Sequence, residues 1–270
     1  MTALTLTKHH GLGNDFLVVF DPDDHGVDDV PALAQALCHR RTGLGADGLL
    51  VGDNAEGYAA RMTLYNADGS RAEMSGNGIR CFAQAVAARR GDLGPQLILT
   101  DAGDKVVTLS TTDDPSTIVA QVEMGPVAVI EEPSGWAAVE CHPDRPVAHL
   151  SVGNPHSVVG VDDVTEVDLV DLGGRIPHVN LEIVQPGPES NAITMRVHER
   201  GAGITAACGT GACASAFAAR SWGLVPPIEP EVVVHMEGGT ASVAFDENTP
   251  PRAILTGPAT LVATIEVEHA

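Results

Sequence analysis

Apolar and polar residues alternate along most of the chain, and the alternation fails in two stretches that are small and apolar on every side. The two-residue period of half-buried strands runs through residues 4–9 and 15–21. It returns at 49–52, 58–66, 96–100, 105–110, 117–124, 147–152, 156–161, 180–184, 193–198, 231–236, 241–245 and 261–267. In 58–66, Tyr58, Ala60, Met62, Leu64 and Asn66 share one face, so Asn66 is expected to end an inward row. A helix is expected from about Pro31, which suits a first turn, with Asp29 as its cap. The two exceptions are 77–90, where Ile79, Cys81, Phe82 and Val86 stand among alanines, and 210–222, which is equally rich in alanine. A helix that is apolar all round is a buried one.

These stretches belong to a repeat. Displaced by 133 positions, 62–78 lies without a gap over 195–211, and Ser75 falls on Cys208. Each copy reads as an alternating strand, a turn rich in glycine or charge, then Ser75-Gly76-Asn77-Gly78 or Cys208-Gly209-Thr210-Gly211, then the alanine-rich helix. Gly13-Asn14 is echoed by Gly153-Asn154 at a similar offset. The expected fold is therefore α+β, with two pseudo-symmetric domains, each a mostly antiparallel sheet wrapped around a central helix. One domain comprises 1–115 plus 258–270 and carries Ser75; the other comprises 116–257 and carries Cys208. A small nucleophilic side chain at the start of each central helix suggests one substrate atom approached from two faces. Backbone N–H groups there lower a thiol's pKa and attract a carboxylate.

Composition narrows the partners. A net charge of −21 over 270 residues argues against nucleic acid and against an anionic membrane surface. No basic and apolar leader is read at the N-terminus and no apolar run reaches membrane-span length, so a cytoplasmic protein is expected. Five cysteines without a CxxC pattern fit reduced thiols. Gly43-Leu44-Gly45-Ala46-Asp47-Gly48 matches GxGxxG but has a helix before it and a strand after it, the reverse of a dinucleotide site. The looser match at 209–214 also lacks the acidic end of a following strand. The eleven histidines form no metal-binding pattern. Lys8 and Lys105, the only lysines, sit in no motif for pyridoxal phosphate, so amino-acid chemistry here is expected to need no cofactor and no metal.

At this point the motifs as a set resemble one family. His10-Gly11-Leu12-Gly13-Asn14-Asp15-Phe16, Gly45-Ala46-Asp47-Gly48, Asn66-Ala67-Asp68-Gly69-Ser70, Ser75-Gly76-Asn77-Gly78-Ile79-Arg80-Cys81, Gly153-Asn154-Pro155-His156, Val179-Asn180 and His198-Glu199-Arg200-Gly201-Ala202-Gly203 through Cys208-Gly209-Thr210-Gly211 closely resemble diaminopimelate epimerase, in family order over nearly the whole chain. The resemblance implies a homodimer that interconverts LL- and meso-diaminopimelate for lysine and peptidoglycan synthesis. It implies a two-base mechanism, in which one cysteine thiolate removes the Cα proton and a second thiol delivers one from the other face. By similarity Cys208 is one of the pair and Ser75 holds the place of the other. The family's substrate contacts fall on Asn14, Asn66, Asn154, Asn180, Glu199 and Arg200, its carboxylate-binding amides on Gly76, Asn77, Gly209 and Thr210, and a site histidine on His156. Arg200 can grip a distal carboxylate as a fork, and Glu199 can pair with an ammonium.

Two positions depart from the family. Ser75 stands where cysteine is usual, and a hydroxyl is a far weaker acid than a thiol with its pKa of about 8.5. A neighbour such as His156 would have to assist it. Cys81 cannot replace it, lying about 9 Å further along a helix. Ser75 is thus native to a lineage that works with one thiol and one hydroxyl, an engineered change, or the mark of another activity. Proline and hydroxyproline epimerases vary this position, but they carry histidine at the place of Asn77 and lack the Glu199-Arg200 pair. A homologue that binds amino acids without turning them over is the remaining reading. Gly48 also replaces a glutamine that reaches the substrate in some members.

Overall fold

The structure, a computed structural model, describes residues 2–269. It divides into two compact units, one taking the chain up to Val122 and again from Gly257, the other spanning Glu123–Thr256.

In the first unit, Thr2–Gly11 and Asn14–Phe20 form an antiparallel hairpin around Leu12 and Gly13, both with positive φ. That turn matches the natural twist of the strands. Asn14–Phe20 runs parallel to Gly48–Asp53, which is antiparallel to Ala60–Asn66. Ala60–Asn66 runs parallel to Gln96–Thr100, and Gly103–Thr111 and the start of Thr117–Pro126 follow antiparallel. A parallel pair needs a crossover, and helices α1 (Val30–Cys38) and α2 (Gly76–Arg90) lie in the two crossovers. Asp29 caps α1 as expected, its carboxylate accepting from the Ala32 amide at 3.0 Å.

The second unit repeats this order. Val147–Ser151 and Pro155–Gly160 are antiparallel, and Pro155–Gly160 is parallel to Asn180–Pro186 across α3 (Leu169–Arg175). Asn180–Pro186 is antiparallel to Ala192–Glu199, which is parallel to Glu231–Met236 across α4 (Gly209–Ser221). Gly239–Phe245 and the start of Arg252–His269 complete the run antiparallel.

Residues 76–83 and 85–87 of α2 are buried, as are 209–216, 218 and 219 of α4. Glycine and alanine keep both helices thin enough to be enclosed by strands, which explains why neither shows an amphipathic stripe. Among the described residues no helix is long and apolar enough to cross a membrane. The alternation did not announce the short α3, nor the 3-10 turns Pro22–His25 and Trp136–Val139, which are too brief to show a period. Asn66 also differs from expectation, because it is exposed. Its strand leaves the core at a turn closed by Gly69 N–H to the Asn66 carbonyl, with Gly69 at φ 81°.

Arg80 is fully buried within α2. Its Nε donates to the Pro258 carbonyl (3.2 Å), one terminal nitrogen to the Gly76 carbonyl (3.0 Å) and the other to Asn77 Oδ1 (2.9 Å). Gly11 and Gly257 leave room for the guanidinium, since a Cβ on either would come within 3.1 to 3.2 Å of it. A buried charge is tolerated only with its hydrogen bonds made. Replacing Arg80 by Met, of similar length, leaves those acceptors unmatched and is expected to cost on the order of 3 kcal/mol. Urea unfolding at neutral pH checks this, and a loss below about 1 kcal/mol would contradict it.

Candidate active site

Ser75 and Cys208 are the N-cap residues of α2 and α4, with nearly the same backbone conformation: φ −137°, ψ 123° at Ser75 and φ −127°, ψ 117° at Cys208. Ser75 Oγ accepts from the Gly78 amide at 3.0 Å, and Cys208 Sγ from the Gly211 amide at 3.4 Å. The amides of a first turn, which here include Gly76 at α2 and Gly209 and Thr210 at α4, face out of the helix N-terminus. The helix dipole favours an anion there. Each unit thus sets one protic side chain beside one anion cradle.

In the first unit, a chain of hydrogen bonds surrounds the start of α2. Asn77 takes the Arg80 bond on Oδ1 and donates through Nδ2 to Asn14 Oδ1 at 3.2 Å. Asn14 Nδ2 donates to Asp47 Oδ2 at 2.7 Å. Arg40 bridges Asp47 (2.6 Å) and Asp15 (2.7 Å), and Lys8 pairs with Asp15 at 3.0 Å. Burial opposes charge on Asp15, but Arg40 and Lys8 outweigh it and hold that carboxyl below the ordinary carboxylate range. The Leu12-Gly13 turn sets Asn14 at the start of its strand. Asn66 Nδ2 donates to Ser70 Oγ at 3.0 Å. Ser75 is half-buried. Cys81 offers no substitute: burial pushes its thiol up to about 12. At Gly48, a Cβ would meet the Tyr65 carbonyl at 2.7 Å, so no side chain fits that position in this backbone.

In the second unit Cys208 is buried. Its thiol lies well above the ordinary value because of burial first, then the charges of Glu199 and Glu182, which together outweigh the bonds from Thr210 and the Gly211 amide. This corrects the expectation that the helix start alone would lower it. Glu199 accepts a hydrogen bond from Thr205, and burial raises its own pKa. Asn154 Nδ2 donates to Thr210 Oγ1 at 3.3 Å. His156 is fully buried with Nδ1 at 2.6 Å from Glu182 Oε1 and Nε2 at 2.9 Å from Asn154 Oδ1. With both nitrogens engaged inside its own unit, His156 has none left to activate a serine hydroxyl. Asn180 is likewise committed to backbone, accepting from the Arg200 amide at 2.8 Å and donating to the Pro155 carbonyl at 3.2 Å. It brackets Arg200, whose exposed guanidinium has no acidic partner among the described residues.

Sequence reasoning assigned no role to Asp47, Arg80, Glu182 or Thr205. Arg80 and Glu182 carried a signal, each being the lone charge inside an otherwise buried segment, Gly76–Ala83 and Asn180–Val184. Among the described residues no group of three or more His, Cys, Asp or Glu side chains is placed to hold a metal ion.

The profile of the family described as Diaminopimelate epimerase matches residues 6–130 and 149–262. A diaminopimelate epimerase of Desulfitobacterium hafniense is 38% identical over 280 residues, covering 96% of each chain. Among solved structures, a Bacillus anthracis phenazine biosynthesis protein of the PhzF family superposes with TM-score 0.78 at 14% identity, covering all of both chains. A hydroxyproline epimerase from Agrobacterium vitis, solved with trans-4-hydroxy-L-proline, gives 0.71 at 15% identity, covering 99% of this chain and 91% of that one. At such identities the two structures establish the fold.

The raised Cys208 thiol generates a prediction. In a Cys141→Ser background, which removes the half-buried thiol Cys141, alkylation of Cys208 by iodoacetamide should climb through pH 9 without levelling. Glu199→Gln removes one of the charges that oppose the thiolate, so alkylation at pH 8 should quicken by about threefold or more. A plateau below pH 8 in the unaltered site would refute the assignment.

Proposed function

The chain belongs to the diaminopimelate epimerase family, and on that premise we propose that Cys208 and Ser75 act on opposite faces of Cα of diaminopimelate, one removing its proton while the other delivers a new one. The enzyme is an isomerase, and its reaction converts LL- and meso-diaminopimelate into one another, a step of lysine synthesis. The observation that carries the assignment is the matched pair of caps: two protic side chains in one backbone conformation, each at a helix start made of small residues.

The amides of Gly76, Asn77, Gly209 and Thr210 would receive the substrate's α-carboxylate. Charge builds on that group as Cα loses its proton, and preorganised amides meet it without reorganising. Cys208 rests as a thiol, and the Glu199 charge is among the influences that keep it so. Transfer of the thiol proton to the Glu199 carboxylate leaves a thiolate, which can then take the Cα proton of the meso isomer. The Ser75 hydroxyl, which accepts from Gly78 and keeps its own proton to give, supplies the opposite face. Asn14, Asn66 and Asn154 would line the amino-acid head, with His156 and Asn180 holding Asn154 and Arg200. Arg200, unpaired at the surface, supports a substrate with a distal carboxylate over a cyclic imino acid. We place the enzyme in the cytoplasm as a homodimer, for which the five unbridged cysteines and the family's habit are the support.

Because an alkoxide is far harder to form than a thiolate, the two directions should differ. In D₂O, deuterium should enter Cα of the meso isomer faster than Cα of the LL isomer, and Ser75→Cys should raise the LL rate by about tenfold or more. Arg200→Ala should lower turnover by a similar factor, about tenfold or more. Equal exchange from both isomers would overturn the role given to Ser75; binding with no exchange from either would identify a protein that holds the amino acid without turning it over.

A further inference from the structure

Glu182 is a carboxylate with no place in the chemistry described above, yet it is fully buried. Its Oε1 lies 2.6 Å from His156 Nδ1, and its Oε2 has no hydrogen-bond partner. The same Oε1 packs against the first turn of α4, where a Cβ on Gly211 would come within 2.7 Å of it and within 3.3 Å of Cys208 Sγ. An acid left so far from water must serve an arrangement that needs it.

The direction of the neighbouring hydrogen bonds shows what that arrangement is. Asn154 turns its carbonyl to His156 Nε2 and its amide to Thr210 Oγ1. A carbonyl only accepts, so Nε2 carries a proton. Nδ1 faces a carboxyl oxygen at 2.6 Å, so a second proton lies between ring and acid, on whichever of the two holds it. Thr210 Oγ1 accepts from Asn154 and has its own proton to give, and the next group, 3.5 Å on, is Cys208 Sγ. Every bond from His156 onward is therefore donated towards the sulfur. If Nε2 lost its proton, Asn154 would have to present its amide to the ring and its carbonyl to Thr210. The Thr210 hydroxyl would then donate to that carbonyl and abandon the thiol.

We propose that Glu182 is a positioning residue for proton transfer at Cys208: the proton it shares with His156 fixes the direction of the His156, Asn154, Thr210 chain, so that its last hydroxyl donates to the sulfur when the thiolate forms. The proposal rests on Cys208 carrying a proton in the reaction. It explains why a strand residue two positions past Asn180 is acidic, and why position 211 is glycine. It also sets the consequence of each substitution. Glutamine at 182 can donate an N–H to Nδ1 and so hold the ring with Nε2 protonated, whereas leucine leaves Nδ1 without a partner and the ring without the bond that fixes its place.

The test measures Cα deuterium exchange from meso-diaminopimelate, with KM and kcat determined separately. Glu182→Leu should lower kcat by about tenfold or more, as expected for a lost hydrogen bond to an ionised group, with KM within about twofold. Glu182→Gln should keep kcat within about threefold of the unaltered protein. Thr210→Val should lower kcat as Glu182→Leu does, and the double variant should be little worse than either single one, because both act on one bond. Full additivity, or a glutamine variant as poor as the leucine one, overturns the proposal. Should Glu182→Leu fail to fold, nitrogen-15 shifts of the His156 ring, assigned by their loss in His156→Gln, still decide: protonated Nε2 supports the chain direction and unprotonated Nε2 overturns it. Cys208→Ala separates the two readings. Full exchange without Cys208 removes that residue from the reaction, while abolished exchange together with an inert Glu182→Leu removes only Glu182.

Discussion

The hydrogen bond from the third amide of a helix back to its cap fixes two torsions at once, the backbone of the capping residue and the direction of its side chain. In this protein Ser75 and Cys208 are both caps, so helix geometry aims the hydroxyl and the thiol. The rest of each unit accommodates that bond. Gly78 stands 3.1 Å, measured from the Cβ it lacks, from the Ser75 Cβ, and Gly211 has equally little space beside Cys208 and Glu182. Burial of α2 and α4 on all sides removes the freedom to tilt that an exposed helix would have. The hairpins ending at Asn14 and at Pro155 then bring an asparagine to each helix start.

The two units repeat one order of elements but differ in what lies behind the caps. Arg80 stands behind Asn77 in the first, a cation beneath the start of α2. Glu182 and Glu199 surround the start of α4, and burial, reinforced by their charges, keeps the Cys208 thiol protonated at rest. The same backbone thus offers two electrostatic environments. A buried cation favours negative charge close to it, and buried acids oppose it. The weaker acid of the pair, the hydroxyl, is the one backed by the cation.

Much of this frame was legible in the sequence because it rests on short-range rules. Alternation revealed the longer strands, and the all-round small residues at 77–90 and 210–222 revealed enclosed helices. The displacement that lays Ser75 on Cys208 revealed the repeat. What stayed hidden depends on distance in space. No local pattern says that Glu182 meets His156, 26 positions away, or that Arg80 reaches Pro258 across 178. The thiol's raised pKa was missed for the same reason, since the helix start is visible in sequence while Glu199 and burial are not. Asn66 was misread because alternation specifies a face and says nothing about where the core beneath that face ends.

A cap that is also a reagent is subject to two selections of opposite sense. Serine is among the best residues for closing a helix start, and here its oxygen holds the Gly78 amide at 3.0 Å where sulfur holds Gly211 at 3.4 Å. A mutation from cysteine to serine at such a position leaves the fold as sound as before, or sounder, while it slows proton transfer. Nothing in folding or solubility removes that variant from a population. Only demand for product would, so under the proposed role the residue at 75 is constrained by turnover and not by the stability of the fold.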